Sequence, residues 1–178
     1  MRYLLLLRGI NVGGHNKVVM KELKSSLMET GFTNVISYIN SGNLIFESDQ
    51  VQAAVTQKIE RILKKNYTFS MTMLVISADE YQQDFAQVPE WWGADPSLRH
   101  NALFLLPSFD PKALQHLKQQ ITDYDQIEIK PNVIFWTSTF KKDFSKSVYA
   151  KLMKESFYKD VTIRNRNTAL KLLQLLQN

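Results

Sequence analysis

At 178 residues and 20.7 kDa, the chain is long enough for one domain or two small ones, with a core that needs no covalent staples. Hydrophobic residues make up 44% and charged residues 22%, which excludes disordered, collagenous and low-complexity classes. There is no cysteine, so disulfides, thiolate nucleophiles and cysteine-based metal sites are excluded, and a reducing compartment fits. No apolar run approaches the roughly 20 residues of a membrane helix. Leu4–Leu7 is too short for a signal-peptide core and is closed by Arg8. The expectation is a cytoplasmic protein with no membrane partner. The net charge of +5 is unevenly spread: residues 1–76 hold 9 basic and 5 acidic side chains, 77–98 hold 5 acidic and no basic, and 99–178 hold 13 basic and 7 acidic. A basic half concentrates anions in its field, while lysines on helix faces need no function beyond solvation.

Tyr3–Leu7 is a short apolar run that reads as a buried strand. After a loop containing Gly13 and Gly14, the spacing of Met20, Leu23 and Leu27 predicts a helix that Gly31 stops. Val35–Ile39 and Leu44–Phe46 are strand-like, and Asn40-Ser41-Gly42-Asn43 between them reads as a hairpin turn. Ser48 or Asp49 is the expected cap of a second helix with the apolar face Val51, Val55, Ile59, Ile62 and Leu63, and Met71–Ile76 is another strand.

The same β-α-β-β-α-β order returns after residue 98. Ala102–Leu106 reads as a strand, and Asp110-Pro111 as the start of a helix carrying Leu114, Leu117 and Ile121. Ile127–Ile129 and Val133–Trp136 flank a turn at Pro131-Asn132. A helix is expected over 147–157, a strand over 161–164 and an extra helix over 168–176. Between the halves, Ser77-Ala78-Asp79-Glu80 has the form of a capping box, and an aromatic, turn-rich stretch follows through Pro89, Trp91, Trp92, Gly93 and Pro96. Aromatic side chains bury large areas, so Trp91 and Trp92 are expected to plug the seam between the halves, ahead of any role in stacking on a ligand.

Three segments carry a resemblance. Leu7-Arg8-Gly9-Ile10-Asn11-Val12-Gly13-Gly14, Tyr38-Ile39-Asn40-Ser41-Gly42-Asn43 and Thr162-Ile163-Arg164-Asn165-Arg166-Asn167-Thr168 resemble, in order, the signatures of a bacterial family known as domain of unknown function 1697. Members often carry an aromatic where this chain has Arg166. The resemblance implies an α+β fold of two tandem ferredoxin-like halves, residues 1–76 and 99–178, joined by the connector 77–98. It implies no activity.

In such a unit the exit of the first strand and the central hairpin share one end of the sheet. Arg8–Lys17 should therefore lie beside Asn40–Asn43. In the second half, residues 137–147 should lie beside 164–168. Both ends are rich in donors: the backbone of Gly9, Gly13 and Gly14, the side chains of Asn11, Asn16, Asn40, Ser41, Asn43, Asn165, Asn167 and Thr168, and the charges of Arg8, Lys17, Lys141, Lys142, Lys146 and Arg164. Exposed N–H groups and guanidinium forks are ligands for phosphate and carboxylate. The simplest use of both ends is one composite site between the halves. Against this, Gly13, Gly14 and Gly42 can be tight-turn residues, and Asn167 or Thr168 a helix cap.

The expected function is binding of an anionic small molecule, a nucleotide or phosphometabolite. An enzyme on a phosphorylated or acidic substrate is the alternative, with His15 as the one acid–base candidate within a motif. RNA binding is the other alternative, although Phe46 is the only strand aromatic near the place where such sheets stack bases. No pair of carboxylates or histidines has ligand spacing, so no metal is expected and the cofactor is unknown. Oligomeric state cannot be read from the residues.

Overall fold

The computed structural model describes all residues from Met1 to Asn178. Its contacts divide the chain into two units, Met1–Gln82 with Leu172–Asn178, and Gln83–Lys171.

The first unit is built on β1 (Arg2–Arg8), α1 (Met20–Glu29), β2 (Thr33–Ser37), β3 (Asn43–Glu47), α2 (Gln52–Asn66) and β4 (Thr72–Ser77). The sheet is antiparallel in the order β2-β3-β1-β4. Tyr3, Leu5 and Leu7 of β1 point to the helix side, where they meet Leu23 and Leu27 of α1 and Val55, Ile59, Ile62 and Leu63 of α2. The alternate residues Leu4 and Leu6 are buried too, as are Ile45, Leu74 and Ile76. Burial on both faces explains why β1 reads as an unbroken leucine run rather than an alternating one. Phe46 lies on the helix side against Phe32, with ring centroids 4.8 Å apart. It is therefore a core residue and offers no base-stacking platform.

Two local expectations change, the first being that Val51 stands exposed ahead of α2 and not on its apolar face. α2 begins after Val51 with no side-chain cap, because the Ser48 hydroxyl is spent on the amide of Gln50 in the preceding turn. Gly31 ends α1 as expected, in a left-handed conformation at φ +93°.

α3 (Ala78–Phe85) opens with a complete capping box: the Ser77 amide donates to Glu80 Oε2, and the Glu80 amide donates to Ser77 Oγ. The second unit then follows with β5 (Arg99–Leu105), α4 (Lys112–Gln120), β6 (Asp125–Ile129), β7 (Val133–Ser138) and β8 (Val161–Asn165). Its antiparallel sheet has the order β6-β7-β5-β8, the same relative order as the first. Trp92 is 2% exposed, packs edge-on against Phe135 and Phe85, and donates its indole N–H to Asn101 O.

The helix expected over 147–157 is absent. Three short 3-10 turns, Phe144–Lys146, Tyr149–Lys154 and Ser156–Asp160, replace it. The buried residues explain this. Val148 and Leu152 share a helical face, but Phe157 is five positions beyond Leu152 and falls off that stripe. An extended residue, Glu155, at φ −69° and ψ 138°, breaks the run and brings Phe157 back to the core. α5 (Arg166–Gln177) ends the chain, and its cap is Asn165, whose Oδ1 accepts the Thr168 amide. The expected caps Asn167 and Thr168 lie two and three positions too late for that role. α5 starts in the second unit and finishes in the first. No helix is long and apolar enough to cross a membrane.

Candidate functional site

In the first unit, Leu6 pairs with Asn43 in the β1–β3 register, so the end of β1 meets the β2–β3 turn. The Leu7 amide donates to Gly42 O at 2.8 Å. Gly42 has φ +79°, and a Cβ there would lie 2.6 Å from Leu7 Cβ and 2.9 Å from Ile10 Cδ1. Glycine is required by both conformation and space. Asn43 is fully buried and closes its own hairpin, donating to Tyr38 O and Ser41 Oγ. Ile39, a β-branched residue, sits at φ +49° and is 51% exposed. Left-handed backbone is rare for such a side chain and marks local strain at this tip.

The loop after β1 is braced from inside. Asn11 Nδ2 donates to Val18 O and Asn40 O, at 3.0 and 2.8 Å, and its Oδ1 accepts the Val18 amide. Asn16 Nδ2 donates to Gly9 O. Both asparagines hold left-handed backbone, as asparagine tolerates. Their side chains therefore shape the loop and have little left for a ligand. Val12 and His15 form an isolated bridge, with the His15 amide on Val12 O. Gly13 and Gly14 between them have φ +59° and +78°, the signs of a type I′ turn. A Cβ at either position would meet no closer atom than His15 Cδ2, 3.9 Å from that of Gly13. Turn conformation explains these glycines without remainder. Their N–H groups make no hydrogen bond within the chain, and both residues are exposed. His15 and Lys17, which follow in the same loop, are exposed, as is Asn40, whose carbonyl accepts from Asn11. The His15 ring has no hydrogen-bonding partner to fix a tautomer, so nothing orients it as an acid or base. Arg8 ends β1, half-buried, in register with Thr72. The segments 8–18 and 38–43 contain no carboxylate.

In the second unit, β5 pairs Arg99 with Ser138 of β7 and Asn101 with Asn165 of β8, so the exits of β7 and β8 share an end. Asn165 and Asn167 line a pocket of about 350 Å³ with Gly93, Pro96, Leu98, His100 and Arg166. Arg166 stacks over Trp92 at 5.7 Å and donates Nε to Trp92 O, so it braces the connector. His100 Nδ1 accepts the Gly93 amide and Nε2 lies 2.7 Å from Asp95 O, the pattern of the Nε2–H tautomer. Arg164 is 7% exposed and donates to Thr162 Oγ1 and Ile163 O. Lys146 forms an ion pair of 2.8 Å with Asp143, and that carboxylate, more than Tyr124 beside it, holds the ammonium above the usual lysine range. Thr168 is buried beneath the α5 cap. Arg164, Lys146 and Thr168 are thus engaged by the protein itself.

Sequence reasoning missed a second cluster at this end. Arg99 lies over the rings of Phe140, Phe144 and Tyr149, at 4.5, 5.1 and 5.5 Å. Burial pushes the Tyr149 phenol up to about 12, with Arg99 pulling the other way. Asp125 is buried with both oxygens occupied: Oδ1 by Trp136 Nε1 and the Tyr149 amide, Oδ2 by the Val148 amide and Thr122 Oγ1. Beside it, a pocket of about 530 Å³ is walled by Leu98, Tyr124, Thr137, Ser138 and Thr139 among others. Ser138 Oγ and Thr139 Oγ1 are sealed from solvent with no hydrogen-bond partner. The only signal in the sequence was strand register, which places Arg99, Ser138 and Asp125 in one row across β5, β7 and β6.

Comparison with known proteins agrees with this architecture. No curated protein matches the chain. The structure of the conserved bacterial protein SP0830 from Streptococcus pneumoniae is similar over 98% of each chain, with 36% identity and a TM-score of 0.90. The sequence profile described as "Protein of unknown function (DUF1697)" matches residues 1–168, and the chain therefore belongs to that family.

Proposed function

We propose that the first unit is a binding module for a phosphorylated or otherwise anionic small molecule, held at the loop 9–17 and the adjoining turn 40–43. The observation that carries this reading is the pair of uncommitted N–H groups at Gly13 and Gly14, on a loop whose shape is fixed by Asn11 and Asn16. A braced loop loses little entropy on binding. Lys17, His15 and the Asn40 amide add donors around it, and the absence of any carboxylate in either segment leaves the local field positive. The shared strand order of the two sheets supports reading both units as ferredoxin-like halves.

The test is titration of the 15N-labelled chain with inorganic phosphate and pyrophosphate. The Gly13 and Gly14 amide resonances should shift in a saturable way, less so at high ionic strength. Gly13→Asn is the informative variant, since asparagine suits the first central position of a type I′ turn but places a side chain beside the amides. The variant should fold normally and bind at least several-fold more weakly. Unmoved glycine amides, or undiminished binding by Gly13→Asn, would overturn the reading.

A further inference from the structure

We propose that the end of the second unit around Arg99 and Phe140 is a separate nucleotide site, which stacks a base on Phe140 and holds its phosphate with Arg99, Lys141 and Lys142. Three observations point there. First, Arg99 is a cation enclosed by aromatic rings and paired with no carboxylate. Apart from the Tyr149 hydroxyl beside it, no protein group uses its fork, and none of its nitrogens is both sealed and unpaired. Rings hold a guanidinium in place while leaving its N–H edge open, which suits a phosphate better than a flexible lysine does.

Second, Phe140 is 46% exposed although Arg99 lies against its ring. A large aromatic left open to water beside a cation is an attractive surface for a second planar group. Lys141 and Lys142 follow it directly, both exposed and without an ion pair. Of the nearby loop acids, Asp143 is taken by Lys146, with a left-handed backbone at φ +59° that turns the chain, while Asp123 stands exposed in the adjoining pocket. Asp125, the buried acid in the row with Arg99, has both oxygens occupied by four uncharged donors and has no ion pair. Arg99, Lys141, Lys142 and Lys146 set against Asp123, Asp125 and Asp143 leave a single net positive charge.

Third, the cluster borders the larger pocket. Leu98 and Thr139, its wall residues, immediately precede Arg99 and Phe140, and Ser138 pairs with Arg99 across the strands. The hydroxyls of Ser138 and Thr139 are closed off behind that wall and are not offered to a ligand. A bare anion would not need the exposed ring, whereas a nucleotide uses ring and cations together.

The base-plus-phosphate chemistry is shared by free nucleotides and single-stranded RNA. The test therefore has two arms: a uridine or adenosine monophosphate, and a fluorescent oligouridine, each titrated into the full chain at two salt concentrations. A steep salt dependence confined to the oligomer identifies a strand, because several phosphates are then engaged. Equal and shallow dependence identifies the mononucleotide. Phe140→Leu should weaken either by about tenfold, since stacking one base is worth roughly 1–3 kcal/mol. Arg99→Lys keeps the charge, and its binding loss should exceed any change in its melting temperature. Both arms are run in the Gly13→Asn background, where the first-unit site contributes little, so the failure of one site is read separately from that of the other. Binding unaltered by Phe140→Leu, or no binding in either arm, would overturn the proposal. So would Phe140-dependent binding to phosphatidylserine vesicles in place of nucleotides.

Discussion

Replacing Asp125 by alanine should destabilise the second unit by about 4 kcal/mol. The carboxylate receives four hydrogen bonds, from Trp136 Nε1 at 2.9 Å, the Val148 amide at 2.7 Å, the Tyr149 amide at 3.2 Å and Thr122 Oγ1 at 3.1 Å. The Trp136 and Val148 donors are buried. An orphaned buried donor costs about 1–3 kcal/mol, so two of them, with the partly buried Tyr149 amide, reach that figure. The Thr122 hydroxyl can rotate away and adds little. Asp125→Asn should lose about half as much, because one oxygen survives while the amide nitrogen opposes an N–H whichever way it is turned. The assay is favoured by composition: Trp91, Trp92 and Trp136 all lie in the second unit, so tryptophan fluorescence during urea unfolding reports that unit alone. Combining Asp125→Ala with Trp136→Phe removes one orphaned donor, so the double variant should be about 1 kcal/mol more stable than additivity allows. A loss under about 1 kcal/mol for Asp125→Ala, or strict additivity with Trp136→Phe, would refute the view that this carboxylate pins the 3-10 segment to the sheet.

Gly42→Ala should cost about 2–4 kcal/mol, from left-handed strain plus overpacking against Leu7 and Ile10. Gly14→Ala, with similar φ but nothing within 4 Å, should cost only about 1 kcal/mol. Hydrogen exchange at the β1 amides separates the two. Tyr149 has its phenol raised from 10.0 to about 12, so the folded state resists an ionisation that the unfolded chain accepts. Its contribution is intact below pH 10 and is lost as pH climbs through 12, by about 3 kcal/mol in all. Denaturation midpoints measured across that range should fall, and fall less steeply for Tyr149→Phe.

Strand positions were legible because their signals are local. Leu4–Leu7, Leu44–Phe46 and Val133–Trp136 each declare a strand by themselves, and the repeated order then brings the loop after β1 to the β2–β3 turn. What escaped reading was set by spacing or by long-range pairing. The run from Val148 to Phe157 has helical composition but not a helical stripe. Asn165 caps α5 from inside a strand, which no cap pattern anticipates. Within the first-unit motifs, asparagine identity could not tell a ligand donor from a loop brace, and Asn11, Asn16 and Asn43 are braces. Arg99 lies 41 to 50 positions before the three rings that hold it, so only the folded register unites them.

The course of α5 bears on how the protein is made. The first unit includes Leu172–Asn178, with Leu172 and Leu176 buried. On the ribosome its strands and helices emerge early, yet the set is incomplete until the last turns of the chain are released. The helix-side core of the first unit holds none of those residues and is complete once β4 has emerged, so only the last part of that unit waits through synthesis of the second. A stop codon that removes only those seven residues should appear as a defect in the part of the protein translated first.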